Sequence, residues 1–411
     1  MNMNKRTFLL LQGVSSPFFA LLGDKLKEQG HRVFKINFNG GDLAYWGARA
    51  GWSYRQDINY LSDYLQQKYA QFDITDQILF GDCRPVHQVA IKCAKSQGIR
   101  NHVFEEGYFR PYWITLEQEG VNKNSKLPRC SKWFDEIGAS VPQYHDGLSF
   151  PPSLNARVAH DICYRLVSIT NPLLFPNYKT HKGVIAPVAA MGYARRFSHL
   201  IVKGLDQDKQ KIARLLEKRS SYYFLPLQLS DDAQIQHHST FSDMRDVITT
   251  VMTSFAKNAP AHTSLVIKNH PLDCGLTHYA SFINKLTTEL GLEKRIVYLE
   301  SGDLNSILQH ALGVITVNSS VGSLALSFGC PTIALADAIY NLMDLTFQGG
   351  LDNFWGNLIK PNAQLYQKFR NTIIHTTQIN GGFYSKPSIQ MTIEHCLPVL
   401  TQEKSRLELL L

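Results

Sequence analysis

The sequence predicts an α/β protein made of two doubly wound, mainly parallel sheets. Three observations carry this. Short apolar runs alternate with amphipathic stretches of helical period, first over Thr7 to Phe104 and again over Tyr222 to Gly329. Polar loops holding Gly, Ser, Asn and Asp follow the strands, which in such sheets gathers them at the carboxyl edge, where ligands bind. A length of 411 residues is enough for two separate cores.

Taken in order, Thr7 to Leu11 reads as a buried strand, followed by a Gly-Ser-Ser-Pro turn and a helix from Pro17 to Gln29 that stops at Gly30. Arg32 to Phe38 returns as a second strand. Its loop, Asn39-Gly40-Gly41-Asp42, suggests backbone with positive φ or a close ligand approach. Gln77 to Phe80 is a third strand, His87 to Gln97 a helix, and Asn101 to Phe104 a fourth strand that ends at Glu105-Glu106-Gly107. Pro151 to Arg219 changes character: helical pieces broken by Pro and Gly form a connector with basic residues at Lys179, Lys182, Arg195 and Arg196. Strands then recur at Tyr222 to Leu229, Ser264 to Lys268, Arg295 to Leu299 and Val314 to Val317, with helices near Ser242 to Ala256, Thr277 to Leu290 and Leu304 to Ala311. The remainder from Tyr340 reads as helical around a turn at Gly381-Gly382. The expected division is a first domain over 1–175, a connector over 176–220, a second domain over 221–365, and C-terminal helices over 366–411 that pack back on the first domain. Two such halves facing across a cleft form the GT-B architecture of many glycosyltransferases.

Composition narrows the function. A hydrophobic content of 44% and a charged content of 18% are ordinary for a folded protein, and no apolar run is long enough to span a bilayer. The net charge of +8 points to anionic partners. The basic residues are scattered and no zinc-finger or RNA-binding signature occurs, so nucleic acid is not expected. Seven cysteines, an odd number without a CxxC pair, indicate a reducing cytoplasmic compartment and no zinc site. Lys5-Arg6 before an apolar run imitates a signal peptide, but Gln12, Gly13 and Pro17 break the run after Leu11. The absence of P-loop, GxGxxG and GxSxG motifs argues against NTPase, dinucleotide and α/β-hydrolase readings.

The stretch Gly313 to Pro331, GVITVNSSVGSLALSFGCP, is the strongest local signal. A buried strand feeds a polar corner, Asn318-Ser319-Ser320, and then a helix that Gly329 and Pro331 terminate. Unpaired N–H groups, the helix dipole and two hydroxyls make this corner an anion site; a simple N-cap is the alternative. Lys268-Asn269-His270-Pro271 ends another strand of the same half and could neutralise a phosphate. Glu105 and Glu106 invite acid–base work, and alternation along the strand leaves one of them facing the ligand edge. Arg84 and Arg110, on matching loops, could hold a carboxylate or phosphate, or pair with these glutamates. Asp231 and Asp232, following Gln228, could supply a nucleophile or merely shape a turn. Asp206-Gln207-Asp208 reads as a solvated helix start rather than a metal motif.

The order Glu-Glu-Gly, His-Pro, Ser-Ser resembles the motif series of GT-B enzymes that use CMP-activated sugars. More closely, INFNGGD (Ile36 to Asp42), FGDCRPVH (Phe80 to His87), FEEGYFRPYWITLE (Phe104 to Glu117), FLPLQLSDDAQI (Phe224 to Ile235), IKNHP and VNSSVGSLAL resemble the KpsS/LipB family of capsule polysaccharide proteins. The resemblance implies a retaining transferase that moves 3-deoxy-D-manno-oct-2-ulosonic acid (Kdo) from CMP-β-Kdo to lysophosphatidylglycerol. It places the nucleophile at Asp232, four residues after Gln228, and the acid/base at Glu105 or Glu106. Gln228, Lys268, His270, Glu300, Asn318, Ser319 and Ser320 would hold CMP-Kdo, and Asn39, Gly41, Asp42, Arg84 and Arg110 the acceptor or the Kdo carboxylate. CMP leaves as a monophosphate, so no metal or other cofactor is expected. The implied partners are the anionic inner-membrane surface, touched peripherally from the cytoplasm, a second chain-extending β-Kdo transferase, and the capsule ABC exporter; the expected membrane contact is through Lys179, Lys182, Arg195 and Arg196 of the connector. The competing readings are an inverting, sialyltransferase-like enzyme and a non-catalytic lipid-binding or scaffold subunit.

Overall fold

The structure, a computed structural model, describes residues 5–151, 154–179, 192, 196, 205–217, 221–229, 239–273 and 275–411. It divides into two compact units. The first comprises Met1–Leu127, Val141–Ala186 and Asn371–Leu411, the second Pro128–Ser140 and Pro187–Arg370. Each is an α/β unit with its own sheet.

In the first unit, β1 (Thr7–Leu10), β2 (Arg32–Asn37), β3 (Trp52–Ser53), β4 (Asp76–Phe80), β5 (Arg100–Glu106) and β6 (Trp113–Gln118) appear in chain order. The second unit holds β7 (Tyr222–Pro226), β8 (Ser264–Lys268), β9 (Ile296–Leu299), β10 (Gly313–Thr316) and β11 (Thr332–Ala334). The chain then returns to the first sheet with β12 (Gln378–Asn380), giving the orders β12-β6-β5-β4-β1-β2-β3 and β11-β10-β7-β8-β9. The second sheet is parallel throughout. In the first, β5 to β6 and β6 to β12 are antiparallel.

Both sheets are covered on both faces, and strand alternation explains how. Phe8 and Leu10 enter one core with Ile78, Phe80 and Phe104, while Leu9 and Leu11 enter the other with Leu79 and Val103. In the second sheet Tyr223 and Leu225 face one core, Tyr222 and Phe224 the other.

Two expectations change. The Asn39–Asp42 stretch is not a loop: Gly40–Trp46 is a helix, and the Asn39 side chain caps it by accepting from Asp42 N at 2.9 Å. Its glycines are there for packing. A Cβ on Gly41 would lie 2.6 Å from the Tyr164 ring and one on Gly40 2.8 Å from Val167 O, both on the helix Leu154–Ser168. Beyond β5 the sheet continues with β6 and β12, two strands absent from the sequence reading. The stretch from Tyr340 is helical only over Leu351–Phe354, Ala363–Thr377 and Lys386–Thr401, with β12 between the last two. Gly381 and Gly382 lie in the irregular link between β12 and the final helix, where Gly381 takes a φ of 153°.

Candidate functional site

In the second unit the loops at the carboxyl ends of β7 and β10 meet. Gln228, almost fully buried, donates from Nε2 to Asn318 Oδ1 at 3.1 Å and accepts from Asn318 N at 3.3 Å. Two residues 90 positions apart are thus locked as a neutral pair. Ser319 caps the helix Ser320–Ser327: its Oγ accepts from Val321 N, its N–H donates to Thr316 Oγ1, and its carbonyl accepts from Tyr340 OH at 2.6 Å. The tyrosine explains Gly322, where a Cβ would lie 2.3 Å from that hydroxyl. Asn318, Ser319 and Ser320 therefore sit together at a helix N-terminus, with Gln228 behind them.

The carboxyl ends of β8 and β9 form a second, ionic group. Asn269 Oδ1 accepts from His270 N at 2.8 Å, and its Nδ2 donates to Glu300 Oε2 at 3.0 Å. His270 Nδ1 accepts from Leu272 N at 3.1 Å, so the neutral imidazole carries its proton on Nε2. Burial lowers the Lys268 pKa, Arg196 adds to the shift, and its Nζ donates to Asn269 O at 3.3 Å. Glu300 receives Tyr298 OH at 2.7 Å and Arg196 at 3.1 Å.

Two expectations fail here. Arg196 is buried, donating to Glu300 and to the carbonyls of Pro271 and Asp273, so it is not a surface cation for a membrane. Asp208 is not a solvated helix start. It is buried, and its Oδ2 accepts from the N–H groups of Glu300 and Ser301, each at 2.9 Å. Lys179 is exposed; Lys182 and Arg195 lie outside the described residues, as do Asp231 and Asp232.

In the first unit the glutamate pair ends β5, and the two side chains follow the strand's alternation: Glu105 shares the face of Val103, Glu106 that of Phe104. Glu106 Oε1 meets Arg157 at 3.1 Å and Tyr384 OH at 2.9 Å. Burial pushes its carboxyl up, but the Arg157 and Arg110 charges and the tyrosine outweigh it and hold the pKa below the usual glutamate value. Glu105 Oε1 accepts from Glu106 N at 2.9 Å. Gly107 is required by the turn into β6, because a Cβ there would lie only 1.9 Å from Trp113 O.

The remaining residues named from the sequence surround this edge. Arg84 donates to Gly13 O at 2.9 Å with its guanidinium 5.4 Å from the Phe80 ring centroid, and Arg110 donates to Gly107 O at 3.4 Å. Asn39 donates to Tyr164 OH at 2.8 Å and Asp42 accepts from the same hydroxyl at 3.2 Å, so both are engaged with the helix Leu154–Ser168. Sequence reasoning did not identify Arg157, Tyr384 or Tyr340, and it gave Arg196 a surface role rather than its buried one. Tyr384 is 278 positions from Glu106, and no local pattern links them. Among the described residues no group of three or more His, Cys, Asp or Glu could hold a metal ion, and no helix is long and apolar enough to cross a membrane.

The chain matches the family model described as "Capsule polysaccharide biosynthesis protein" over residues 75–384. It is 36% identical over 379 residues to the capsule polysaccharide export protein KpsS of Escherichia coli, covering 92% of this chain and 97% of that one. It is 35% identical over 393 residues to the capsule polysaccharide modification protein LipB of Neisseria meningitidis serogroup B, covering 92% and 91%. Among solved structures it is similar to the β-Kdo 2,7 transferase of Thermosulfurimonas dismutans KpsC, with a TM-score of 0.40 and 13% identity over 88% of this chain and 89% of that one. Similarity at this level leaves the reading of the site to the chain's own residues. The family, in contrast, follows directly from the sequence matches: the chain belongs to the capsule polysaccharide biosynthesis proteins.

Proposed function

We propose that the protein is a retaining glycosyltransferase that moves β-Kdo from CMP-β-Kdo to lysophosphatidylglycerol at the cytoplasmic surface of the inner membrane. The observation that carries this reading is the neutral corner Gln228–Asn318–Ser319 at a helix N-terminus, in the same unit as a histidine whose Nε2 bears the proton. A phosphate that leaves with negative charge is stabilised by such donors without a metal. In the first half-reaction Asp232 attacks the anomeric carbon, and CMP departs with the bonding electron pair. In the second, the acceptor hydroxyl oxygen bonds to that carbon, its proton passes to a glutamate of the Glu105–Glu106 pair, and the Asp232 carboxylate recovers the electron pair. Lys268, His270 and Glu300 serve the donor nucleotide; Arg84 and Arg110 serve the Kdo carboxylate or the acceptor phosphate. The product would feed a chain-extending β-Kdo transferase and the capsule exporter.

Incubation with CMP-Kdo and lysophosphatidylglycerol, followed by product mass and anomer, tests the reading. The expected product is the acceptor plus Kdo in β linkage, and Asp232→Ala abolishes it while CMP-Kdo binding persists. Retained turnover by Asp232→Ala, or an α product, supports the inverting mechanism instead. A second reading draws on the name of the Escherichia coli relative, an export protein: a scaffold subunit without catalysis. Binding of CMP to the native state must raise the melting temperature, so no shift at millimolar CMP favours the scaffold.

A further inference from the structure

The two adjacent glutamates at the end of β5 are not equivalent. Glu106 turns to the face that carries Phe104, where Tyr384 packs, and its Oε1 receives both the Arg157 guanidinium at 3.1 Å and the Tyr384 hydroxyl at 2.9 Å. The guanidinium also lies 5.0 Å from the Tyr384 ring centroid, so three side chains from β5, the helix Leu154–Ser168 and the residues after β12 close on one another. The other charges near this group are Arg110, which acts on Glu106, and Glu105 and Asp161, which act on Arg157; Asp161 is itself bound to Arg165 at 2.7 Å. Glu105 turns to the opposite face. Its Oε1 takes the backbone N–H of Glu106, and its Oε2 lies over Gly81, where an added Cβ would come within 3.2 Å of it. Anchoring Glu106 therefore also fixes the N–H that orients the Glu105 carboxylate.

We propose that the pair divides its work: Arg157 and Tyr384 fix Glu106 as a permanent anion that positions the strand end, and Glu105 accepts the proton of the acceptor hydroxyl. This rests on the transferase reading above and assigns its proton. A carboxylate fixed by a guanidinium and a phenol cannot exchange protons near neutral pH without breaking the clamp. As the acceptor oxygen bonds to the anomeric carbon, the hydroxyl proton goes to Glu105 and the bond to Asp232 breaks with its pair returning to that carboxylate. Arg157, Tyr384 and Glu106 are positioning residues.

Two measurements on the full chain test this. The first needs no activity: thermal unfolding of Glu106→Gln, Arg157→Met and the double variant. The double variant is expected to lose less melting temperature than the two singles added together, and strict additivity overturns the clamp. The second is the pH–rate profile with CMP-Kdo and lysophosphatidylglycerol. Glu105→Gln is expected to lose ~10²-fold or more in kcat together with the acidic limb of the profile. Glu106→Gln is expected to keep that limb with a smaller loss, and Arg157→Lys to recover part of what Arg157→Met loses. A limb lost in Glu106→Gln and kept in Glu105→Gln overturns the assignment. Absence of transfer by the unaltered protein counts against the transferase reading, and the thermal cycle then decides the clamp alone.

Discussion

The serine corner of the second unit and the glutamate edge of the first solve the same problem, polar groups at the carboxyl ends of strands, in opposite ways. At the corner, Gln228 and Asn318 are neutral and satisfy one another, and the neutral Ser319 caps the helix that follows. At the edge, Glu106 is ionised and needs Arg157 and Tyr384 brought from elsewhere in the chain. A neutral corner can accept an anion without first holding a buried charge of its own. An ionised edge holds its charge before any ligand arrives, at the cost of needing partners that cannot be removed singly. The difference teaches which group is built to receive charge and which to keep it.

The comparison breaks most sharply at Gly107. Replacing it with Ala drives a Cβ into the backbone of Trp113, which cannot yield as a flexible side chain would. The first unit should lose about 3 kcal/mol or more, seen as loss of hydrogen-exchange protection in β5 and β6 while β7 to β10 keep theirs. Equal loss in both sheets would contradict the separation of the units.

Acidification gives a smaller contrast. His87 is fully buried, its Nδ1 within 2.6 Å of Gly81 O, and burial together with Arg84 and Lys35 holds its pKa well below the ordinary value, against the pull of the Gly81 and Phe80 carbonyls. A histidine with a depressed folded-state pKa contributes stability above its unfolded pKa of about 6.5 and loses it as pH falls. Between roughly pH 7.5 and 5.5, β4 protection should weaken, by at most about 1.4 kcal/mol per pH unit below the unfolded pKa. His87→Gln should flatten that slope, and an unchanged slope would assign it to other groups.

The smallest effect belongs to the corner. Ser319→Ala removes one cap bond and should cost about 1 kcal/mol, but it should also reduce the rise in melting temperature that CMP causes. A full CMP shift in that variant would remove Ser319 from the nucleotide site.

How much of this was legible depended on how local each signal is. Strands β1, β2, β7, β8 and β10, with the helices that follow them, carry their own apolar periods and caps, and Gly329 ends its helix with φ 68° as the pattern requires. The helix Gly40–Trp46 was not legible, because paired glycines argue against helix until the helix Leu154–Ser168 presses on them. β12 is three residues long and exists through its pairing with β6. At the site, the Ser319 cap is written in adjacent residues, whereas the partners of Glu106 come from distant parts of the chain and no window of sequence contains them.

The return of the chain to the first sheet sets an order of assembly. Phe383 lies 5.1 Å from Phe18, 5.2 Å from Phe80 and 6.3 Å from Phe104, while Arg6 donates to the carbonyls of Leu400 and Gln402. The lobe that leaves the ribosome first is therefore completed last. Until β12 and the final helix are added, β6 is an unpaired edge and its aromatic core lacks Phe383, so a chain that stops before residue 378 leaves the first sheet open to association.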